Sequence, residues 1–272
     1  MADRGKSRKK TMAEKADRHA TYEKAVQTPD IESAFVADTF RRIRKRAAQS
    51  FREDFCGTAA LACEWVRGGP KRRAIGVDLD PEVLEWGKRR HYDRLKPAQQ
   101  ARMKHVLGDV ARVRTERVDV VGAFNFSYWI FKTRPEMLKY FRRVRESLVD
   151  DGIFFLDAYG GYEAYKEIRE TTECKGFTYI WQQEKYYPVT GEMLCHIHFR
   201  FPDGSRMNKA FSYDWRLWSL PEIRELLAEA GFSRVTVWWE GTGKDGRGNG
   251  EFSPEPRGEA DAGWVAYVIA ER

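Results

Sequence analysis

A turn in this chain, Glu53-Asp54-Phe55-Cys56-Gly57-Thr58-Ala59, leaves a short apolar run and opens a helical pattern. Such a turn can hold a ligand, because Gly57 gives a small residue where the backbone bends and a helix start gives free N–H groups. Downstream, Gly76-Val77-Asp78-Leu79-Asp80 closes a second apolar run. A carboxylate just past the carboxyl end of a second strand can accept bonds from both hydroxyls of a ribose. Asp78 is placed for that, Leu79 can cover an adenine face, and Asp80 is left as the N-cap of the next helix. A third run ends in Leu107-Gly108-Asp109-Val110, where Asp109 can accept a bond from an exocyclic adenine amine. Together, in this order, these segments point to a nucleoside ligand at the carboxyl ends of adjacent parallel strands.

The elements that must position these residues follow from periodicity. Short apolar runs alternate with helical patterns from Ser50 to Leu156, which predicts βαβ units and a mainly parallel, doubly wound sheet. Strands are expected at Ser50–Phe55, Ala74–Val77, His105–Leu107, Val118–Phe124 and Ile153–Leu156. Helices are expected at Ala59–Val66, from Asp80-Pro81 past Trp86, and at Pro135–Leu148. The region 177–215 reads as antiparallel strands, with turns at Pro188–Gly191 and Pro202–Gly204. Ser219 and Glu222 form a capping box for a last helix that stops at Gly231. Strands Val235–Trp239 and Trp264–Ile269 complete a seven-stranded sheet. The domain reading is a basic disordered tail over 1–18 and one domain over 19–272. Its core spans about 50–160 and 219–272, and an antiparallel insert about 161–218.

Composition narrows the class. The chain has 272 residues, 42% of them hydrophobic, enough for one large core. No run is apolar enough to span a membrane, and the N-terminus lacks the apolar stretch of a secretory signal. The four cysteines form no CxxC pair and read as reduced thiols, which suggests a cytoplasmic protein. The net charge of +7 concentrates partly in the first 24 residues, where eight Lys/Arg face four Asp/Glu. That reads as a solvated arm, with contact to nucleic acid as the alternative. Arg41 to Arg46 reads as an exposed basic helix face. His196 and His198 share one strand face without a third ligand, so no metal site is expected.

On these residues the chain resembles the class I S-adenosylmethionine-dependent methyltransferases, over roughly Ser50 to Leu156 and again in the final helix and strand pair. The glycine motif of that family is matched best by Cys56-Gly57-Thr58, with Glu53 as its acid. Phe55 and Ala59 stand where the family has glycine, and Arg52 where it has an apolar residue. A dehydrogenase would carry G-x-G-x-x-G, and the outer positions here are Phe55 and Ala60. The resemblance implies S-adenosylmethionine held by Glu53, Cys56, Gly57, Thr58, Asp78, Leu79, Asp109, Val110, Asn125 and Phe126. Arg52 would either hold the methionine carboxylate or form a structural ion pair with Glu53 or Asp54. Tyr22 is placed by the resemblance in an N-terminal helix that folds over the cofactor.

The acceptor side is read from Asn125-Phe126-Ser127-Tyr128-Trp129 and from the aromatic insert, which includes Tyr213-Asp214-Trp215-Arg216. The insert is similar to the substrate lids of glycine-type and amino-sugar N-methyltransferases, though about half its aromatics should simply pack its own sheet. Asn125, Tyr128 and Tyr213 are the candidate catalytic residues, with Glu240 nearby. Trp129, Tyr213 and Arg216 are the candidate acceptor contacts, Arg216 being equally suited to a surface ion pair. Asp245 and the stretch Gly241–Gly250 could gate entry. The expected activity is N- or O-methylation of a small molecule, and the lack of an obvious base motif favours an amine. The alternative is methylation of RNA, DNA or protein, because Asn125 and Tyr128 partly match an N-P-P-Y motif. A homodimer is possible by analogy.

Overall fold

The computed structural model describes residues 8–243 and 248–272. Among the described residues eight α-helices run in chain order as α1 (Met12–Lys15), α2 (Arg18–Val26), α3 (Pro29–Arg44), α4 (Ala60–Arg67), α5 (Pro81–Arg90), α6 (Pro97–Gln100), α7 (Arg134–Ser147) and α8 (Leu220–Glu229). The first strands are β1 (Ser50–Asp54), β2 (Arg73–Asp78), β3 (Met103–Leu107), β4 (Val118–Ala123) and β5 (Leu148–Gly160). Then come β6 (Ile168–Cys174), β7 (Phe177–Tyr187), β8 (Glu192–Arg200) and β9 (Arg206–Arg216), and finally β10 (Arg234–Thr242), β11 (Gly248–Pro254) and β12 (Trp264–Glu271). None of the helices among the described residues is long and apolar enough to cross a membrane.

The chain divides into two units, residues 28–165 with 216–272, and residues 1–27 with 166–215. The larger unit holds an eight-stranded sheet in the order β11-β10-β12-β5-β4-β1-β2-β3. Strands β3, β2, β1, β4 and β5 are parallel, and β12 joins β5 antiparallel. The chain winds from β1 outward to β3, then returns to β4 beside β1. This reversal opens a crevice at the carboxyl ends of β1 and β4, where doubly wound sheets bind ligands. β11 is an eighth strand beyond the seven expected. It pairs with β10 across the stretch expected to be a gating loop. Asp245, within that stretch, lies outside the described residues.

Burial explains why these segments fold as they do. All five residues of β1 and all six of β4 are buried, as central parallel strands covered on both faces must be. Phe40, Phe51, Trp65 and Phe155 meet between α3, α4 and the sheet, each essentially sealed from solvent. Asp80 caps α5 by accepting the Glu82 and Val83 amides, and Ser219 with Glu222 forms the expected capping box of α8. The basic run at the end of α3 is only partly a free face. Arg44 pairs with Glu271 at 2.7 Å, and Arg46 pairs with both Asp119 and Asp151.

The smaller unit is the antiparallel sheet β6-β7-β8-β9, with α1 and α2 packed on it. Phe177, Ile197, Phe199 and Phe201 form its core, and Tyr22, Trp181 and Tyr213 pack against them. Within the segment expected to be disordered, residues 12–15 are helical, and the Met12 amide donates to Asp203 at 2.8 Å. Thr11 and Glu14 supply the start signal there, a complete capping box.

Candidate functional site

The loop between β1 and α4 is built from left-handed backbone. Phe55, Gly57 and Ala59 have φ of 57°, 52° and 55°. Two of these are the positions where glycine was expected and is not found, so the bend survives the loss of glycine. For an ordinary residue this conformation costs about 1–2 kcal/mol. Phe55 offsets its share by packing, its ring lying 6.0 Å from that of Phe131 and 5.7 Å from that of Tyr140. A Cβ added at Gly57 would meet nothing within 4 Å, so open space lies over the middle of the loop. Cys56 is buried, and its sulfur faces Gly76, where a Cβ would lie 3.0 Å from it. Cys56 and Thr58 are sealed, so the loop faces the crevice with backbone.

Asp78 ties this loop to the end of β2. One carboxylate oxygen accepts the Gly57 amide at 2.7 Å and the other accepts the Asp80 amide at 3.0 Å. Leu79, beside it, is 70% exposed, an unusual place to leave an aliphatic side chain unless something covers it. Asp109 is half-buried at the end of β3, where it accepts the Ala111 amide and pairs with Arg112. Val110 is buried behind it. Glu53 is buried in β1 and accepts the Ala62 amide at 2.8 Å. Burial, with Glu32, Asp78 and Asp54 nearby, pushes its carboxyl well above the usual range.

Two residues not anticipated from the sequence hold the backbone around the crevice, one at this loop and one at the turn after β4. A Cβ at Gly87 in α5 would lie 2.1 Å from the Thr58 carbonyl oxygen, so this helix touches the loop backbone directly. A glycine inside an otherwise good helical pattern was the available signal. Asp157, near the end of β5, accepts the Asn125 amide at 2.8 Å and the Phe126 amide at 2.9 Å. Asn125 and Phe126 both have left-handed φ, 56° and 57°, and Asp157 is what fixes that double turn. Burial raises the Asp157 carboxyl to about 7. An acid inside the apolar run Phe154-Phe155-Leu156-Asp157-Ala158 was the visible trace of it.

Several expected roles are corrected by the geometry. Arg52 is wholly buried and bidentate to Asp54 at 2.6 and 3.0 Å, and it also donates to Ser147. Tyr140 donates its hydroxyl to the same carboxylate. Arg52 is therefore the structural ion pair of the two readings, and a methionine carboxylate cannot reach it. Tyr128 is fully buried and donates to the Asp157 carbonyl at 2.7 Å, so its hydroxyl cannot touch an acceptor. Trp129 is equally sealed, packed on Tyr159 with ring centres 4.8 Å apart. Arg216 pairs with Glu222, donates to the Lys132 carbonyl and lies over the Trp218 ring. It anchors the start of α8. Glu240 accepts the Gly250 amide and so braces β10 against β11.

Asp78, Leu79 and Asp109, at the ends of β2 and β3, and Asn125-Phe126, at the end of β4, border the same crevice as the Gly57 loop. Tyr22 and Tyr213 belong to the smaller unit, where they share a hydrogen bond. Tyr213 stacks on Trp215 with ring centres 4.3 Å apart, and Tyr22 lies 4.9 Å from Phe211. His196 and His198 direct their Nδ1 atoms to Ser212 and to the Lys209 amide.

Comparison with known proteins agrees with this architecture. Residues 54–156 match a methyltransferase domain family. Among curated proteins, no sequence matches the chain. A crystal structure of an S-adenosylmethionine-dependent methyltransferase from Clostridium acetobutylicum superposes with a TM-score of 0.68 at 15% identity, covering 93% of this chain and 96% of the other. An amino pentose methyltransferase from Micromonospora echinaspora, solved with S-adenosylmethionine bound, gives 0.65 at 16% identity, covering 93% and 95%. A sugar N-methyltransferase from Streptoalloteichus gives 0.62 at 16% identity, covering 100% and 98%. Residues 54–156 thus match a methyltransferase domain, and the fold is the one seen in enzymes that take S-adenosylmethionine as methyl donor. The residues present fit that donor, with a bare Gly57 loop, a carboxylate beside an exposed Leu79, and a second carboxylate at the next strand end.

Proposed function

We propose that the protein methylates a small-molecule acceptor, at nitrogen or oxygen, with a neutral amine as the better fit. S-adenosylmethionine supplies a methyl group already activated by its sulfonium. The chain must then hold the donor, orient the acceptor and keep water out. Asp78 is placed for the ribose hydroxyls, Leu79 and Asp109 for the adenine, and the Gly57 loop for the methionine end.

The observation that carries the amine reading is the state of the groups at the end of β4. The Tyr128 hydroxyl is spent on a carbonyl, and the Asp157 carboxylate on two amides. The Ser127 hydroxyl donates to the Phe124 carbonyl at 2.8 Å, which leaves Asn125, half-buried, whose amide oxygen can accept an N–H and orient a lone pair. It cannot remove a proton. A hydroxyl acceptor needs a base at this point, whereas an amine that arrives neutral does not. An amino pentose methyltransferase and a sugar N-methyltransferase share the fold, which supports this reading. The ion pairs of Arg44 and Arg46 remove part of the basic surface that a nucleic-acid acceptor would use.

The test is transfer of labelled methyl from S-adenosylmethionine to matched panels of amino sugars, other small amines and the corresponding alcohols. The proposal expects product with amines, with a rate that rises with pH as the amine loses its proton. Transfer only to alcohols, or only to RNA or protein, would refute it.

A further inference from the structure

The larger unit contains a cavity of about 270 Å³ whose lining includes none of the residues assigned above to the cofactor. It lies among the end of β5, the middle of β10, the first residue of β12, the start of α8 and the segment 255–259. Its walls are aromatic: Tyr159, Tyr165, Trp218, Trp239 and Trp264. Trp239 and Trp264 lie with ring centres 4.9 Å apart.

Three glycines make these walls possible. A Cβ at Gly160 would lie 2.2 Å from the Trp264 ring. One at Gly161, with φ of 106°, would lie 2.4 Å from the Ala262 carbonyl oxygen. One at Gly258, with φ of 64°, would lie 2.9 Å from the Trp239 ring. The backbone is therefore brought directly onto two indoles, at the positions where only glycine allows it. The cavity is built by the sequence rather than left by loose packing.

The rim supplies charge. Arg224 on α8 and Arg257 both line the cavity and are exposed. Among the described residues, neither guanidinium makes an ion pair or side-chain hydrogen bond. Two carboxylates line it as well. Glu255, half-exposed, accepts the Arg257 amide at 2.9 Å, which fixes its own loop, and Glu259 is exposed. We propose that this cavity binds a small molecule with a flat ring and an anionic group, the ring against the indoles and the anion on Arg224 and Arg257. Indole faces favour flat rings, and guanidinium forks match carboxylate and phosphate. Tyr159 forms a wall here and also meets Phe126, with ring centres 4.8 Å apart, so an occupant bears on the double turn at the end of β4. The proposal goes beyond the methyl-transfer reading and does not depend on it.

The experiment titrates the full-length protein with phenyl phosphate while following tryptophan fluorescence, with benzyl alcohol and benzylamine as the neutral and cationic counterparts. Saturable quenching by phenyl phosphate near a Kd of about 1 mM is expected, a reasonable affinity for so small a ligand. Benzyl alcohol and benzylamine should bind at least about tenfold more weakly, the loss of one good charge-assisted contact. Arg224→Ala combined with Arg257→Ala should abolish the preference for the anion. Both residues are exposed, so S-adenosylhomocysteine binding by the double variant should stay unchanged and show that it is folded. No saturable response to phenyl phosphate, equal binding of benzylamine, or an undiminished anion preference in the folded double variant would each overturn the proposal.

Discussion

The Asp78 carboxylate accepts the Gly57 amide through one oxygen and the Asp80 amide through the other, and each oxygen keeps a further lone pair for a ligand. Asp78→Ala therefore loses both the contacts available to a ribose and the tether of the loop. Calorimetric titration should show S-adenosylhomocysteine affinity lowered by at least about 100-fold, the loss of two charge-assisted bonds. Unchanged affinity would mean that the nucleoside sits elsewhere. Asn125 separates binding from transfer. Its left-handed backbone is held by Asp157 and suits glycine, so Asn125→Gly keeps the turn and removes the side-chain amide. The expected result is kcat lowered by about 10- to 100-fold, within the range of one lost positioning contact, with cofactor affinity preserved. A parallel loss of cofactor affinity would instead make Asn125 a cofactor ligand.

At the scale of elements, the crevice depends on how closely α5 approaches the β1–α4 loop. Gly87→Ala places a methyl group against the Thr58 carbonyl, backbone against backbone, where no rotamer change gives relief. Overpacking of this kind costs about 1–3 kcal/mol. The variant should lose stability by that amount in urea unfolding and bind S-adenosylhomocysteine more weakly, because the loop must move. Full retention of both would show that α5 shifts freely. Much of this layer was legible in the sequence. The alternation of short strands and helices, Asp80 as a cap, and the Ser219–Glu222 box are local signals, and they are found where expected. What could not be read depends on distant partners. For Arg52 the sequence leaves a ligand role and an ion pair with Glu53 or Asp54 both open, and only the fold chooses Asp54 and brings Ser147 and Tyr140 to the pair. Tyr128 fits an acceptor motif in sequence, yet the turn at Asn125-Phe126 points it into the core. β11 was missed because Gly248-Asn249-Gly250 carries turn residues and pairs only at the edge of the sheet, where propensity is weakly enforced.

For the whole molecule, the buried acids of the larger unit set how stability responds to pH. Asp157 and Glu32 are both raised to about 7, Asp157 chiefly by burial and Glu32 by burial with Asp157 and Asp30 nearby. In the unfolded chain both ionise near pH 4. Between pH 4 and 7 the folded state therefore holds protons that the unfolded state has released, and folding loses free energy as pH rises, by up to about 1.4 kcal/mol per unit for one group. Asp119 and Asp151 act in the opposite sense. Asp119 is held down by the amides of Gln49 and Ser50 and by Arg46, against its partial burial, and Asp151 by Arg46. Their contribution is present above the usual carboxylate range and is lost as pH falls through it. Stability should thus peak on the acid side of neutral and decline toward pH 8. Asp157→Asn removes one of the falling contributions, with those of Glu32 and Glu53 left in place, because an amide does not titrate. It also leaves one of the Asn125 and Phe126 amides without an acceptor, so the variant should be less stable at pH 5 and less sensitive to pH above it. Urea unfolding at pH 5, 6, 7 and 8 measures both effects. A wild-type stability that rises from pH 5 to 8, or a variant that keeps the full slope, would mean that Asp157 is ionised throughout and that its charge is compensated by the two backbone amides alone.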